Sequence, residues 1–207
     1  MRIKLPLTLL AYIFATLPSI ANEAAAPADG GNISITESVR YILDTDMEYN
    51  TTVFQADPST PQAQFGVSFE GDGQQSLTLD KKDTTEKTAQ FLFRPENTDP
   101  RIDTFTLSIS QLDNLHLGGT YGAVELSNNQ GDSVFSITDI GGNVSLDNNT
   151  IERSGNAADA LVSLHSSGNN TIFIDDIGGT LSISNNTKTS GATQSGLGSV
   201  SYTHLRA

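Results

Sequence analysis

The chain has 207 residues, with no cysteine and no tryptophan, and it is poor in cations: 11 Lys and Arg stand against 24 Asp and Glu, a formal charge of −13. The missing cysteine excludes a disulfide scaffold, a thiolate zinc site, a cysteine nucleophile and the lipidated cysteine of a bacterial lipoprotein. The shortage of cations excludes a nucleic-acid partner, because no basic stripe can replace the counterions on phosphate. It equally excludes a basic patch seated on an anionic membrane face. There is no phosphate loop, no Gly-x-Ser-x-Gly elbow, no zinc helix and no Gly-Gly-x-Gly-x-Asp calcium nonapeptide. What is present is 36% hydrophobic and only 17% charged, too apolar for a wholly disordered chain, and 18 glycines promise many turns.

Arg2 and Lys4 form a short basic start, followed by an apolar run over 5–17 and by Ser19 and Ala21 at the −3 and −1 positions of a cleavage site. That order is a secretory signal, expected to be cut after Ala21; the run is short for a membrane anchor, which is the other reading. Residues 22–33 read as a flexible mature N-terminus. At the far end, 200–207 departs from the composition before it and resembles a translated sequencing-adapter tail. The natural chain is then expected to continue beyond Val200; a genuine frayed end is the alternative.

The middle repeats itself. Phe135-Ser-Ile-Thr-Asp-Ile-Gly-Gly-Asn-Val-Ser-Leu-Asp-Asn-Asn-Thr150 aligns without gaps on Ile172-Phe-Ile-Asp-Asp-Ile-Gly-Gly-Thr-Leu-Ser-Ile-Ser-Asn-Asn-Thr187, an offset of 37. A degraded copy runs from Gly118-Gly119 through Val124 and Leu126 to Asn128-Asn129. Such self-similarity indicates a repeat architecture, and the period-2 alternation of Phe135 with Ile137, or Ile172 with Ile174, indicates strands. Gly141-Gly142 and Gly178-Gly179 are expected to supply the positive φ of a sharp corner, and the Asn pairs a second corner. Asn pairs recur at 128/129, 148/149, 169/170 and 185/186, in steps of 20, 21 and 16. The expected fold is therefore all-β: a right-handed parallel β-helix of about 20 residues per coil, the 37-residue repeat being two coils, with Asn ladders up the stack.

Upstream the pattern loosens. Alternation at Phe65, Val67 and Phe69, at Leu77 and Leu79, at Phe91 and Phe93, and at Phe105, Leu107 and Ile109 reads as earlier coils with longer turns. Residues 81–88 read as a solvated charged loop. Residues 34–50 fit either a capped helix, with Ser34 and Glu37 as a capping box, or strands. Either would cap the stack, so 34–64 is assigned to an N-terminal cap and 65–199 to the coils.

Gly-Gly followed by alternating apolar residues and then Leu126-Ser-Asn-Asn129, Leu146-Asp-Asn-Asn149 or Ile183-Ser-Asn-Asn186 resembles the repeats of chlamydial-type polymorphic outer membrane proteins. More broadly it resembles bacterial autotransporter passengers, over roughly 65–199. An aliphatic residue stands where that pattern has Phe, and Asn143 or Thr180 where it has Ala. The resemblance implies a right-handed β-helix displayed on a Gram-negative-type outer membrane by a C-terminal β-barrel; no series of barrel strands occurs in this chain. It implies a non-enzymatic adhesive or structural protein whose partners are glycans or proteins of host or neighbouring cells. A secreted β-helix polysaccharide lyase or glycoside hydrolase is the alternative, since such enzymes stack Asp residues on one face.

Asp139, Asp175 and Asp176 are the residues to weigh for that alternative. Asp139 and Asp176 hold the same place before Ile-Gly-Gly, as corner residues would. His116 and His165 lie in strands without an adjacent carboxylate motif and read as surface residues. Arg153 and Lys188 are the cations of 115–198, too few to hold a polyuronate. The sequons at Asn32, Asn50, Asn143, Asn148, Asn169 and Asn185 follow from composition. No catalytic, cofactor or metal residue is therefore assigned.

Overall fold

The computed structural model describes residues 22–81, 88–94, 101–128, 130–147, 150–152, 161–184 and 186–189. The leader at 1–21, the tail at 200–207, Asn148, Asn185 and Arg153 lie outside them. Every regular element described is a strand. They are β1 (Asn22–Ala25), β2 (Asn32–Ile35), β3 (Val39–Ile42), β4 (Met47–Tyr49), β5 (Val53–Ala56), β6 (Gln62–Glu70), β7 (Ser76–Lys81), β8 (Phe91–Phe93), β9 (Ile102–Leu112), β10 (Asn114–Gly119), β11 (Val124–Asn128), β12 (Asp132–Ile140), β13 (Val144–Ser145), β14 (Thr150–Glu152), β15 (Val162–Ser166), β16 (Asn170–Ile174), β17 (Leu181–Ser182) and β18 (Thr187–Thr189).

They build three parallel sheets. The first runs β1-β3-β6-β9-β12-β16, the second β4-β7-β10-β13-β17 and the third β2-β5-β8-β11-β15; β14 and β18 pair separately. From β3 onward the chain visits first, second and third sheet in turn, so each circuit is one coil of a parallel β-helix. The first coil holds β1 and β2, the second β3–β5, the third β6–β8, the fourth β9–β11, the fifth β12–β15 and the sixth β16–β18.

From the second coil onward the coil is longer than about 20 residues. In the first sheet Asn22 pairs with Val39, Val39 with Val67, Val67 with Leu107, Leu107 with Phe135 and Phe135 with Ile172, advances of 17, 28, 40, 28 and 37. The 37-residue repeat is one coil, not two. The Asn pairs misled because they mark two different corners of the same circuit. Asn128 closes β11 in the third sheet, whereas Asn186 follows β17 in the second. The degraded copy is also out of phase: Gly118-Gly119 ends β10 beside Asp80-Lys81, a different corner from Gly141-Gly142.

The stack also starts earlier than 65. Asn22–Ala25 is a strand rather than a flexible lead-in, and 32–56 supplies rungs to all three sheets. The helix reading of 34–50 fails because Ile35, Val39, Tyr41 and Leu43 point into one core with Tyr49 and Phe54. That core changes character along the stack. Rings concentrate in coils two and three, where Phe54 packs between Tyr49, Phe69 and Phe91; Phe105 of coil four stacks on Phe65 and Phe93, the latter with centroids 3.9 Å apart, in a coil otherwise aliphatic. Each fully buried ring is worth about 1.5–3 kcal/mol of transfer energy. Coil five is largely aliphatic, with buried Ile137, Ile140 and Val144 beside Phe135, and in coil six Ile172, Ile174, Ile177 and Leu181 are only partly buried. Lys81, assigned to a solvated loop, is instead 1% exposed, and its Nζ donates to the Thr88 carbonyl and hydroxyl.

Side chains fasten one coil to the next. Asp29 accepts the backbone N–H of Thr51 and Thr52, Asp46 that of Ser76, and Asn114 that of Asn143. Asp132, Asn143 and Asp147 take the N–H of Asn169, Thr180 and Ser184, each 37 residues on. Among the described residues the ladder runs from Asp and Asn oxygens to the next backbone; Asn129, Asn148, Asn149 and Asn185 of the expected Asn ladder lie outside them. These bonds satisfy donors that leave the sheets at the corners.

Candidate functional site

The turn between the first and second sheets is where the repeat shows its strongest sequence signal and its least ordinary backbone. Gln111, Asp139 and Asp176 have φ of 56°, 54° and 55°, the left-handed region. They occupy successive coils: Leu112 pairs with Ile140, and Ile140 bridges to Ile177. The positive φ thus belongs to the residue before the aliphatic, not to the glycines. Asp suits it because its short polar side chain tolerates that region better than most. Bending there turns Ile140 inward, 1% exposed, with Ile177 partly buried beside the same core.

The glycines answer a different need. A Cβ on Gly142 would lie 2.6 Å from Asn114 Oδ1, one on Gly178 2.4 Å from the Gly141 carbonyl, and one on Gly179 2.4 Å from the Gly142 carbonyl. The backbones of successive coils touch here, and only glycine permits it. Gly141 is different, with its nearest such contact an ordinary 3.8 Å.

An open groove of about 350 Å³ runs along this corner, lined by Asp72, Gln111, Asp139 and Asp176 with Gly73, Leu112, Ile140, Gly141 and Gly178. Its charged groups are all carboxylates. Burial first, then a side-chain hydrogen bond with Asp176, then the charges of Asp176 and Asp175, push Asp139 above the usual carboxylate range. Elsewhere the stapling carboxylates move the other way. Asp147 is held low by hydrogen bonds from Ser182, Ser184 and Ser145. At Asp29 burial acts upward and is outweighed by bonds from Thr52, Thr51 and Asn50, so its carboxyl also lies low.

The structure therefore brings Asp139 and Asp176 together at a turn, as their repeated place suggested, with Asp175 beside them. It does not bring the histidines to that groove. His116 on β10 has Nδ1 3.4 Å from Ser145 Oγ in the next coil, and His165 on β15 has Nε2 2.9 Å from Ser163 Oγ. The Ser163 contact was missed because the two residues alternate on one strand face and nothing in their spacing marks them. Glu125, the neighbour of Ser163 across the sheet, is 5% exposed and holds Arg94 through Nη2 at 2.5 Å and Nε at 2.7 Å. Among the described residues no three His, Cys, Asp or Glu side chains converge as metal ligands would. Comparison with protein-family models, curated proteins and solved structures finds no match to this chain.

Proposed function

We propose that the protein is an exported, non-enzymatic repeat protein of the cell envelope, an autotransporter-type passenger that works as an adhesive or structural element. The observation that carries this reading is the regularity of the outer faces. Ser108 and Ser136 stand in one column of the first sheet, with Ser110 and Thr138 in the next. Thr78, His116, Ser145 and Ser182 stand in a column of the second. Rungs of a parallel sheet lie about 4.8 Å apart. Such columns offer hydroxyls at a fixed repeat to a repetitive partner, which suits glycans or proteins on host or neighbouring cells. The signal-like leader supports export to the surface or medium of a Gram-negative-type bacterium. Binding of the purified chain to intact cells, before and after their glycans are stripped, tests this. Retained binding after Ser108→Lys with Ser136→Lys, in a folded protein, would sink the role given to that face.

A β-helix polysaccharide lyase or glycoside hydrolase is the second reading, favoured by the paired carboxylates in one groove. Three aspartates without a lining cation repel acidic sugars, so its substrate would be a neutral glycan. Product release from neutral polysaccharides that disappears in Asp139→Asn and Asp176→Asn would favour it over adhesion.

A further inference from the structure

We propose that the corner bearing Asp139 and Asp176 is an acid-closing clasp between the fifth and sixth coils. The two residues hold the same corner position one coil apart, in the same left-handed conformation, and line one groove. Asp175 precedes Asp176 on the sixth coil. The fourth-coil turn packed beneath contributes Gln111 and Asp113, and the third-coil turn contributes Asp72. Every titratable group facing Asp139 from these turns is thus a carboxyl, and no Lys, Arg or His lines the groove among the described residues.

Two stacked carboxylates repel when both are ionised, whereas a single proton between them makes a hydrogen bond across the rung. The raised position of Asp139 agrees with this. A carboxyl whose folded value lies above its unfolded one contributes stability that is complete below the unfolded value and fades as pH rises through the folded one. Acid therefore fastens the corner, and approach to neutrality loosens it. The Asp147 staple to Ser184 sets the opposite limit, since its carboxyl is held low and its contribution fades only in stronger acid. The sixth coil is then held best in mild acid. Its apolar hold is slight, because Ile172, Ile174 and Leu181 are only partly buried, and strand pairing with the staples from Asp132 and Asn143 supplies the rest.

Hydrogen exchange on the full chain, corrected for intrinsic rates, reads the clasp directly. Amides of β16 and β17 should be better protected near about pH 4 than near about pH 7.5, by less than the tenfold of one pKa unit. Amides of β9 should change little and report that the stack stays folded. Asp139→Asn and Asp176→Asn remove the repulsion and keep a residue that accepts positive φ. Either should protect β16 and β17 at both pH values and flatten the difference. Equal protection of β16 and β17 at both pH values in the unsubstituted chain would overturn the clasp. So would an unchanged pH difference in the two Asn variants. Neither result depends on what the protein binds.

Discussion

Gly179 sits directly over Gly142, so close that a Cβ on Gly179 would lie 2.4 Å from the Gly142 carbonyl oxygen. That oxygen accepts the N–H of Gly179 at 2.8 Å. Gly179→Ala must therefore push the sixth coil off the fifth and break this bond. Overpacking of this kind costs about 1–3 kcal/mol. Gly141→Ala, which meets nothing closer than 3.8 Å, should lie well below that. Thermal melts of the two variants check the order; equal losses would mean the coils do not touch as described.

Ile140 is 1% exposed and central to its coil, while Ile177 is partly buried. Placing an unpaired carboxylate at Ile140 should cost about 4 kcal/mol or more, and at Ile177 roughly half as much. Asp176→Asn, by contrast, should leave the fold intact. Urea denaturation of Ile140→Asp, Ile177→Asp and Asp176→Asn tests the ranking.

Gln111 adopts the same left-handed backbone as Asp139 without the side chain that suits it. Gln111→Asn should stabilise the chain by a few tenths to about 1 kcal/mol, a fraction of the 1–2 kcal/mol cost of that region for ordinary residues. A fall in melting temperature would contradict the assignment of strain to this corner.

Asp29→Ala removes the acceptor for Thr51 and Thr52 and should cost about 1 kcal/mol near neutral pH, modest because the site faces solvent. The carboxyl lies low in the folded chain. Its contribution is therefore present above the usual carboxylate value and lost as pH falls through the folded one. Stability curves of the variant and the unsubstituted chain should converge in strong acid, measured by denaturation across pH.

Export should leave a mature chain beginning at Asn22. Mass spectrometry of the envelope and medium fractions checks this, and an intact Met1 in a cytoplasmic pool would refute it.

Strand content, the inward faces and the existence of a repeat were legible because alternation at Phe135 and Ile137 survives in Ile172 and Ile174. Coil length was not, since Asn-Asn marks two corners and nothing in composition says which. The fourth coil was read from its alternation but not aligned with the repeat, because its turn reads Gln111-Leu-Asp-Asn114, with no Gly-Gly to set on Asp139-Ile-Gly-Gly142. The N-terminal coils share shape but not sequence with later ones, because rings fill there the volume that aliphatic residues fill in coil five. Gly-Gly was read as conformational freedom when its use is clearance. Close approach between chain segments 37 residues apart leaves no local sign, whereas φ preference does.

The shift from a ringed core in coils two and three to partly buried aliphatics in coil six gives the molecule a mechanical direction. Drawn out from its C-terminal side, it should not fail at once. Coil six would peel away first, held by few apolar contacts, then coil five, with the ringed coils resisting last. Freeing coil five, from Phe135 to Ile172, lengthens the tether by about 120 Å of extended chain, and freeing coil four by less, because its advance is only 28. A stretched molecule would thus lengthen in unequal steps against rising force, yielding gently at one end while the other keeps its grip.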